Sequence, residues 1–132
     1  MRITATLLND HAVHEVTVAT DARTQRVAVA AKADGRGSSV NGGEFLMLAL
    51  ATCYCNDLYR EAARLGIALE RVEVEAGADF DGPGLAATNV RYRARVESTA
   101  DAETIDRLLR ETDAVAEIHN TLRAGVHVER VD

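Results

Sequence analysis

Cys53 and Cys55 are the only thiols in the 132-residue chain, and they stand two residues apart in its most apolar helical run, Glu44 to Tyr59. A thiolate is a nucleophile toward peroxides and disulfides, so each position has two readings: redox chemistry, or a small buried apolar side chain. Helix positions two apart project about 200° from one another. The two sulfurs are therefore not a preset disulfide, and at most one of them faces any given cavity. Cys55, which points toward Ala51 and Tyr59, reads as packing.

Asn56 and Asp57 interrupt the apolar run three and four residues beyond Cys53, at the spacing where helix side chains meet. Either the helix is surfacing toward its polar half, or Cys53, Asn56 and Asp57 share a polar cavity. A carboxylate at Asp57 would oppose thiolate formation. Cys53 lies about two and a half turns into the helix, beyond the reach of the dipole at its N-terminus. Its activation must come from a group distant in sequence, and Arg36 or a histidine are the candidates. His119 could act as base or cation toward Cys53 or be a surface residue, and Glu117 is a weaker candidate. His11, His14 and His127 combine with no cysteine or aspartate at metal-site spacing, so no zinc, other metal or cofactor is expected. The loop Gly35–Gly43 has the glycines of a phosphate loop without its spacing or lysine, which argues against a nucleotide.

The elements that must position these residues follow from hydrophobic periodicity. Alternation predicts strands over about 1–8, 14–19 and 25–31. A helix spans about 44–65, stopped by Gly66. Strands follow over about 70–80 and 88–98, with Asp81-Gly-Pro-Gly84 as their turn. Helices over about 101–111 and 114–123 and an edge strand over about 126–131 complete a single α+β domain. The first half of the long helix is apolar nearly all round, the pattern of a helix covered on several sides. A chain this small has too little sheet to cover it, so a second subunit is expected to do so.

Composition bounds the function. With 27% charged and 47% hydrophobic residues the chain is ordinary globular protein, and its net charge of -6 argues against nucleic-acid or anionic-membrane partners. Two cysteines do not make a disulfide scaffold and no basic-then-apolar leader opens the sequence, so a cytoplasmic protein with reduced thiols is expected.

The segment Asn41-Gly-Gly-Glu44-Phe-Leu-Met-Leu-Ala-Leu-Ala-Thr-Cys53 resembles the Asn-Pro-Glu-Glu-Leu-Leu-x-x-Ala-Leu-x-x-Cys signature of the OsmC/Ohr family, the osmotically induced and organic-hydroperoxide-resistance proteins. The order of elements and the ending Asn120-Thr-Leu-x-x-Gly-Val126 agree as well. The resemblance implies an intertwined homodimer built of antiparallel sheets on a long central helix, with an active site at each end of the interface. It implies a helix cysteine, here Cys53, that attacks an organic peroxide, and it places His119 on a helix facing the site. Three positions depart from the pattern. The family's resolving cysteine falls on Ala116, its catalytic glutamate on Gly43, and its activating arginine in the loop Asn9–His14, which has none.

The expected candidate set is therefore Cys53 with His119, Asp57 and Asn56. The expected function is reduction of organic hydroperoxides, or a related stress-linked redox role, by one peroxidatic cysteine that an external thiol or dithiol reduces. The alternative is a non-catalytic relative binding a small apolar ligand at the dimer interface. A purely structural dimer, with no cavity beside Cys53, is the third reading.

Overall fold

The computed structural model describes residues 1–132. Its elements run β1 (Ile3–Asn9), β2 (His14–Thr20), β3 (Arg23–Arg26), α1 (Gly42–Leu65), β4 (Arg71–Asp79), β5 (Thr88–Glu97), α2 (Ala102–Val115) and α3 (Glu117–Ala124). Two compact units, residues 1–45 and 46–132, divide the chain. The expected α+β class holds, with two small antiparallel sheets and three helices.

In the first unit β1, β2 and β3 form one antiparallel sheet in that order, with β1–β2 registered from Ile3↔Thr20 to Asn9↔His14. The turn between them forms because the Asp10 carboxylate accepts from the amides of Ala12 (2.7 Å) and Val13 (2.8 Å). The third strand is shorter than its periodicity predicts and ends at Arg26 rather than near residue 31. Beyond Val27 the backbone takes partners from its own loop instead of from β2: Ser39 N–H donates to the Ala30 carbonyl, and Lys32 N–H to that of Gly37. The Asn9 amide ties this loop down, donating to the Gly35 carbonyl (3.0 Å) and accepting from Gly37 N–H (2.9 Å).

Helix α1 begins with a reciprocal cap. The Asn41 side chain accepts from Glu44 N–H (2.9 Å) while the Glu44 carboxylate accepts from Asn41 N–H (2.7 Å). It ends where the sequence places its stop. Gly66 adopts φ +70°, Gly66 N–H donates to the Ala63 carbonyl and Ile67 N–H to that of Ala62, which closes the last turn.

The second unit is built on one stripe of α1. Leu50, Tyr54, Leu58 and Ala62 recur every four residues and are all buried, and Tyr54, Leu58 and Ala62 share the core with Leu108 of α2 and Ala116. The hairpin β4–β5 supplies the other wall, with Val72, Val74, Tyr92, Ala94 and Val96 against this core. On its opposite face Arg93 pairs with Glu75 (2.8 Å) and Arg95 with Glu73 (3.6 Å), as the period of two predicts for a solvated side. The N-terminus of α2 is capped by Asp101, which accepts from Thr104 N–H at 2.8 Å.

Two sequence expectations change here. The tail over 126–131 alternates like a strand but has no regular structure, because it has no strand to pair with, and Val126, Val128 and Val131 are exposed. Phe80, at the end of the strand predicted over 70–80, and Val90, in the one predicted over 88–98, are also exposed. The register shifts between Gly77 and Asp79, so the alternation does not carry through to the hairpin end.

Leu58 is fully buried at the centre of the core. Leu58→Ala will cost about 2–5 kcal/mol, read as a fall in the chemical-denaturation midpoint at unchanged slope, because the surrounding helices and hairpin can only partly fill the space.

Candidate active site

Cys53 sits one turn before Asp57 on α1, and the start of α3 brings Glu117 to the same place. The Cys53 thiol donates to Asp57 Oδ2 at 3.4 Å and approaches Glu117 Oε2 at 3.9 Å. Arg60 completes the cluster from the next turn of α1, with its Nη1 atom 2.8 Å from Asp57 Oδ1 and 3.6 Å from Glu117 Oε1. Each carboxylate therefore spans from the guanidinium to the sulfur, one oxygen on each.

The electrostatics of this arrangement favour a protonated thiol. Burial pushes the Cys53 thiol up; the Ile118 amide opposes the shift, and the Asp57 and Glu117 carboxylates add to it. Asp57, only 4% exposed, is raised above the usual aspartate range, chiefly by its burial and then by the charge of Glu117, while the Cys53 thiol and Arg60 pull the other way. Glu117 is exposed and lowered, first by its own backbone amide and then by Arg60. A proton shared between sulfur and carboxylate thus has Asp57 as its nearest acceptor. Cys53, Asp57 and Glu117 offer donor atoms within 4.8 Å of one another, and Arg60 pairs with the far oxygen of each carboxylate.

The remaining candidates separate. Asn56 is exposed and its side chain has no hydrogen-bond partner, so the polar neighbour of Cys53 is Asp57. Cys55 is a free, half-buried thiol away from the carboxylates. His119 is buried and makes no hydrogen bond to Cys53. Its ring packs tilted against Tyr54 and edge-to-face against Tyr92, at centroid distances of 5.5 and 4.4 Å. Both tyrosine hydroxyls are committed elsewhere, Tyr54 to the Leu109 carbonyl (2.8 Å) and Tyr92 to Asp113.

Residues 35–130 match the family model for OsmC-like protein. The chain belongs to the OsmC-like family. No curated protein matches it. Among solved structures, an OsmC-like protein of Mycoplasma pneumoniae is 17% identical with a TM-score of 0.64, over 94% of this chain and 87% of that one. The organic hydroperoxide resistance protein OsmC of Legionella pneumophila, described as a predicted redox protein, is 16% identical (TM-score 0.58; 97% and 92% covered). An organic hydroperoxide resistance protein of Elizabethkingia anophelis is also 16% identical (TM-score 0.59; 96% and 89%). At such identities the likeness is one of fold.

Against this OsmC-like frame, the three departures acquire physical detail. Gly43 lies in the first turn of α1, and the adjacent Glu44 is occupied in the helix cap. Ala116 is fully buried where α2 passes into α3. Arg36 is exposed in the first unit, and the cation of the cluster is Arg60. Sequence reasoning passed over Arg60 and ranked Glu117 low. The signal for Arg60 was present in its position three residues beyond Asp57 on the same face of α1. Glu117 had no local signal, because only tertiary folding brings α3 to Cys53.

No helix is long and apolar enough to cross a membrane.

Burial and the Arg123 charge lower the affinity of His119 for a proton, against the opposing carboxylates of Asp113 and Asp57. The unfolded chain takes up that proton as pH falls through the ordinary histidine value of 6.5, while the native chain resists it. Stability from this group is complete above that value and declines below it. Thermal unfolding midpoints should fall between pH 7.5 and pH 6, and His119→Phe should flatten that slope.

Proposed function

We propose that the protein is a thiol redox enzyme that reduces organic hydroperoxides, with Cys53 as its single peroxidatic cysteine. The observation that carries this reading is the Cys53 thiol directed at the Asp57 carboxylate, 3.4 Å away, in a half-buried site. Family membership and the names of its structural neighbours support the reading.

In this scheme Asp57 accepts the thiol proton, and the sulfur attacks the terminal oxygen of the hydroperoxide. The O–O bond breaks as the S–O bond forms, and Asp57 returns the proton to the departing alkoxide. The sulfur is oxidised to sulfenic acid and the hydroperoxide is reduced to an alcohol. With no thiol at Ala116, one external thiol condenses with the sulfenic acid to give a mixed disulfide and water. A second releases reduced Cys53 and an oxidised thiol dimer, and a dithiol supplies both steps. Arg60 holds the far oxygen of the Asp57 carboxylate, leaving the other to the sulfur.

A homodimer accompanies this reading. Leu48 on α1, Phe80 and Leu85 are exposed apolar side chains on a chain of this size, and a second copy is the partner proposed to cover them. Sedimentation should give twice the chain mass.

The test is to treat the reduced protein with cumene hydroperoxide in the presence of dimedone, which traps sulfenic acids. A dimedone adduct at Cys53, and catalytic loss of hydroperoxide once dithiothreitol is supplied, are expected. An unmodified Cys53 with no peroxide loss overturns the proposal.

A further inference from the structure

Folding assembles around Cys53 a set of donor atoms that the sequence does not announce. The spacing of the histidines predicts no metal site, and no histidine takes part here. Instead Cys53 Sγ, Asp57 Oδ2 and Glu117 Oε2 converge from α1 and α3, all within 4.8 Å of one another. The convergence is lopsided. Two carboxylate oxygens face the same sulfur, and its thiol has one proton to offer them.

Arg60 accounts for that aim. Its guanidinium takes Asp57 Oδ1 at 2.8 Å and Glu117 Oε1 at 3.6 Å, so the remaining oxygen of each carboxylate is turned to the sulfur. Metal-ligating carboxylates are commonly fixed by an outer hydrogen-bonding partner in this way. Asp57 is also buried, which keeps its near oxygen from exchanging the sulfur for bulk water.

We propose that Cys53, Asp57 and Glu117 form a zinc site.

Distance, donor type and charge each point to that ion. Thiolate and carboxylate ligands about 2.3 and 2.0 Å from a tetrahedral zinc ion stand about 3.5 Å from one another. The two sulfur–oxygen separations here are 3.4 and 3.9 Å, so small side-chain shifts suffice. One sulfur with two carboxylates is a mixed set. Magnesium and calcium take oxygen alone, whereas zinc accepts both donor types. With both carboxylates ionised, Arg60 balances only one of them. A divalent ion exchanged for the thiol proton cancels the other carboxylate together with the new thiolate. Glu117 is exposed, so water can fill the fourth position.

Binding breaks the S–H bond, forms the S–Zn bond and releases one proton to solvent, with no electron transferred. The sulfur lone pair is then committed to the metal, so occupancy withdraws Cys53 from electrophiles. That zinc thereby halts hydroperoxide reduction rests on the function proposed above; the metal site itself does not.

The test titrates cobalt chloride, then zinc chloride, into the reduced, chelator-treated full-length protein. Cobalt should give a near-ultraviolet sulfur-to-metal charge-transfer band that saturates at one ion per chain. Zinc should abolish that band, and excess magnesium should not. Cys53→Ser should remove the band and Cys55→Ser should keep it. Glu117→Gln, a change at an exposed position, should weaken zinc by about tenfold or more. In Cys55→Ser, zinc should slow alkylation of the remaining thiol by iodoacetamide, a readout that holds whether or not the protein reduces peroxides. Absence of the band, its survival in Cys53→Ser, its loss in Cys55→Ser or its loss to magnesium overturns the proposal. So does alkylation indifferent to zinc, or zinc affinity unchanged in Glu117→Gln.

Discussion

Cys53→Ser will abolish hydroperoxide turnover, while Cys55→Ser will leave it close to that of the parent protein. The prediction follows from where the two sulfurs point. Cys53 meets Asp57 and Glu117; Cys55, two residues on, projects away from both. Serine keeps the shape at Cys53 but cannot reach the sulfenic state, so the covalent intermediate disappears altogether. Both sites are only half-buried, and each replacement should leave stability within about 0.5 kcal/mol of the parent, which separates loss of chemistry from loss of fold. The measurement is steady-state consumption of cumene hydroperoxide with dithiothreitol as reductant. Equal loss in both variants would mean that the thiols act together, contrary to their geometry. Full activity in Cys53→Ser would remove thiol chemistry from this site.

How far the sequence reaches is visible in α1. Its extent, its stop at Gly66 and the separation of the two cysteines all depend on local rules: helical periodicity, a left-handed terminal glycine and the angle between successive side chains. Those rules act within a few residues, and the structure follows them. Residues 126–131 show the limit, since a strand is defined by its partner and alternation alone does not supply one. The hairpin end is a similar case, where a register shift after Gly77 releases Phe80 from the inner face. The cluster around the thiol lies between these extremes. Asp57 is legible because it is one turn from Cys53, and Arg60 is legible in principle for the same reason. Glu117 is sixty-four residues away and enters only through the packing of Leu58, Leu108 and Ala116 that sets α3 beside α1. His119 is open to several roles in the sequence, and only folding shows that its ring is buried between Tyr54 and Tyr92.

Asp57→Asn will move two properties of Cys53 in opposite directions, and that opposition separates a base from a bystander. The carboxylate raises the thiol both as a hydrogen-bond acceptor and by its charge. Asparagine removes the charge while keeping the side-chain shape, so the thiol becomes more acidic and its alkylation by iodoacetamide at pH 7 becomes faster. If Asp57 did nothing more than suppress the thiolate, peroxide reduction would accelerate in step. The proposed scheme needs Asp57 to carry the proton from sulfur to the leaving alkoxide, and removing a positioned acid–base group costs about a hundredfold or more in rate. Turnover should therefore fall by that order while alkylation rises. Arg60 supplies the control. Its guanidinium holds the far oxygens of Asp57 and Glu117 and lies on the side of the carboxylates away from the sulfur. Arg60→Gln should lower turnover by loosening the two carboxylates and should leave the thiol less acidic, since the charge near it becomes more negative. A variant pair in which alkylation and turnover rise and fall together would show that thiolate abundance alone governs the reaction, and that Asp57 restrains Cys53 rather than serving it.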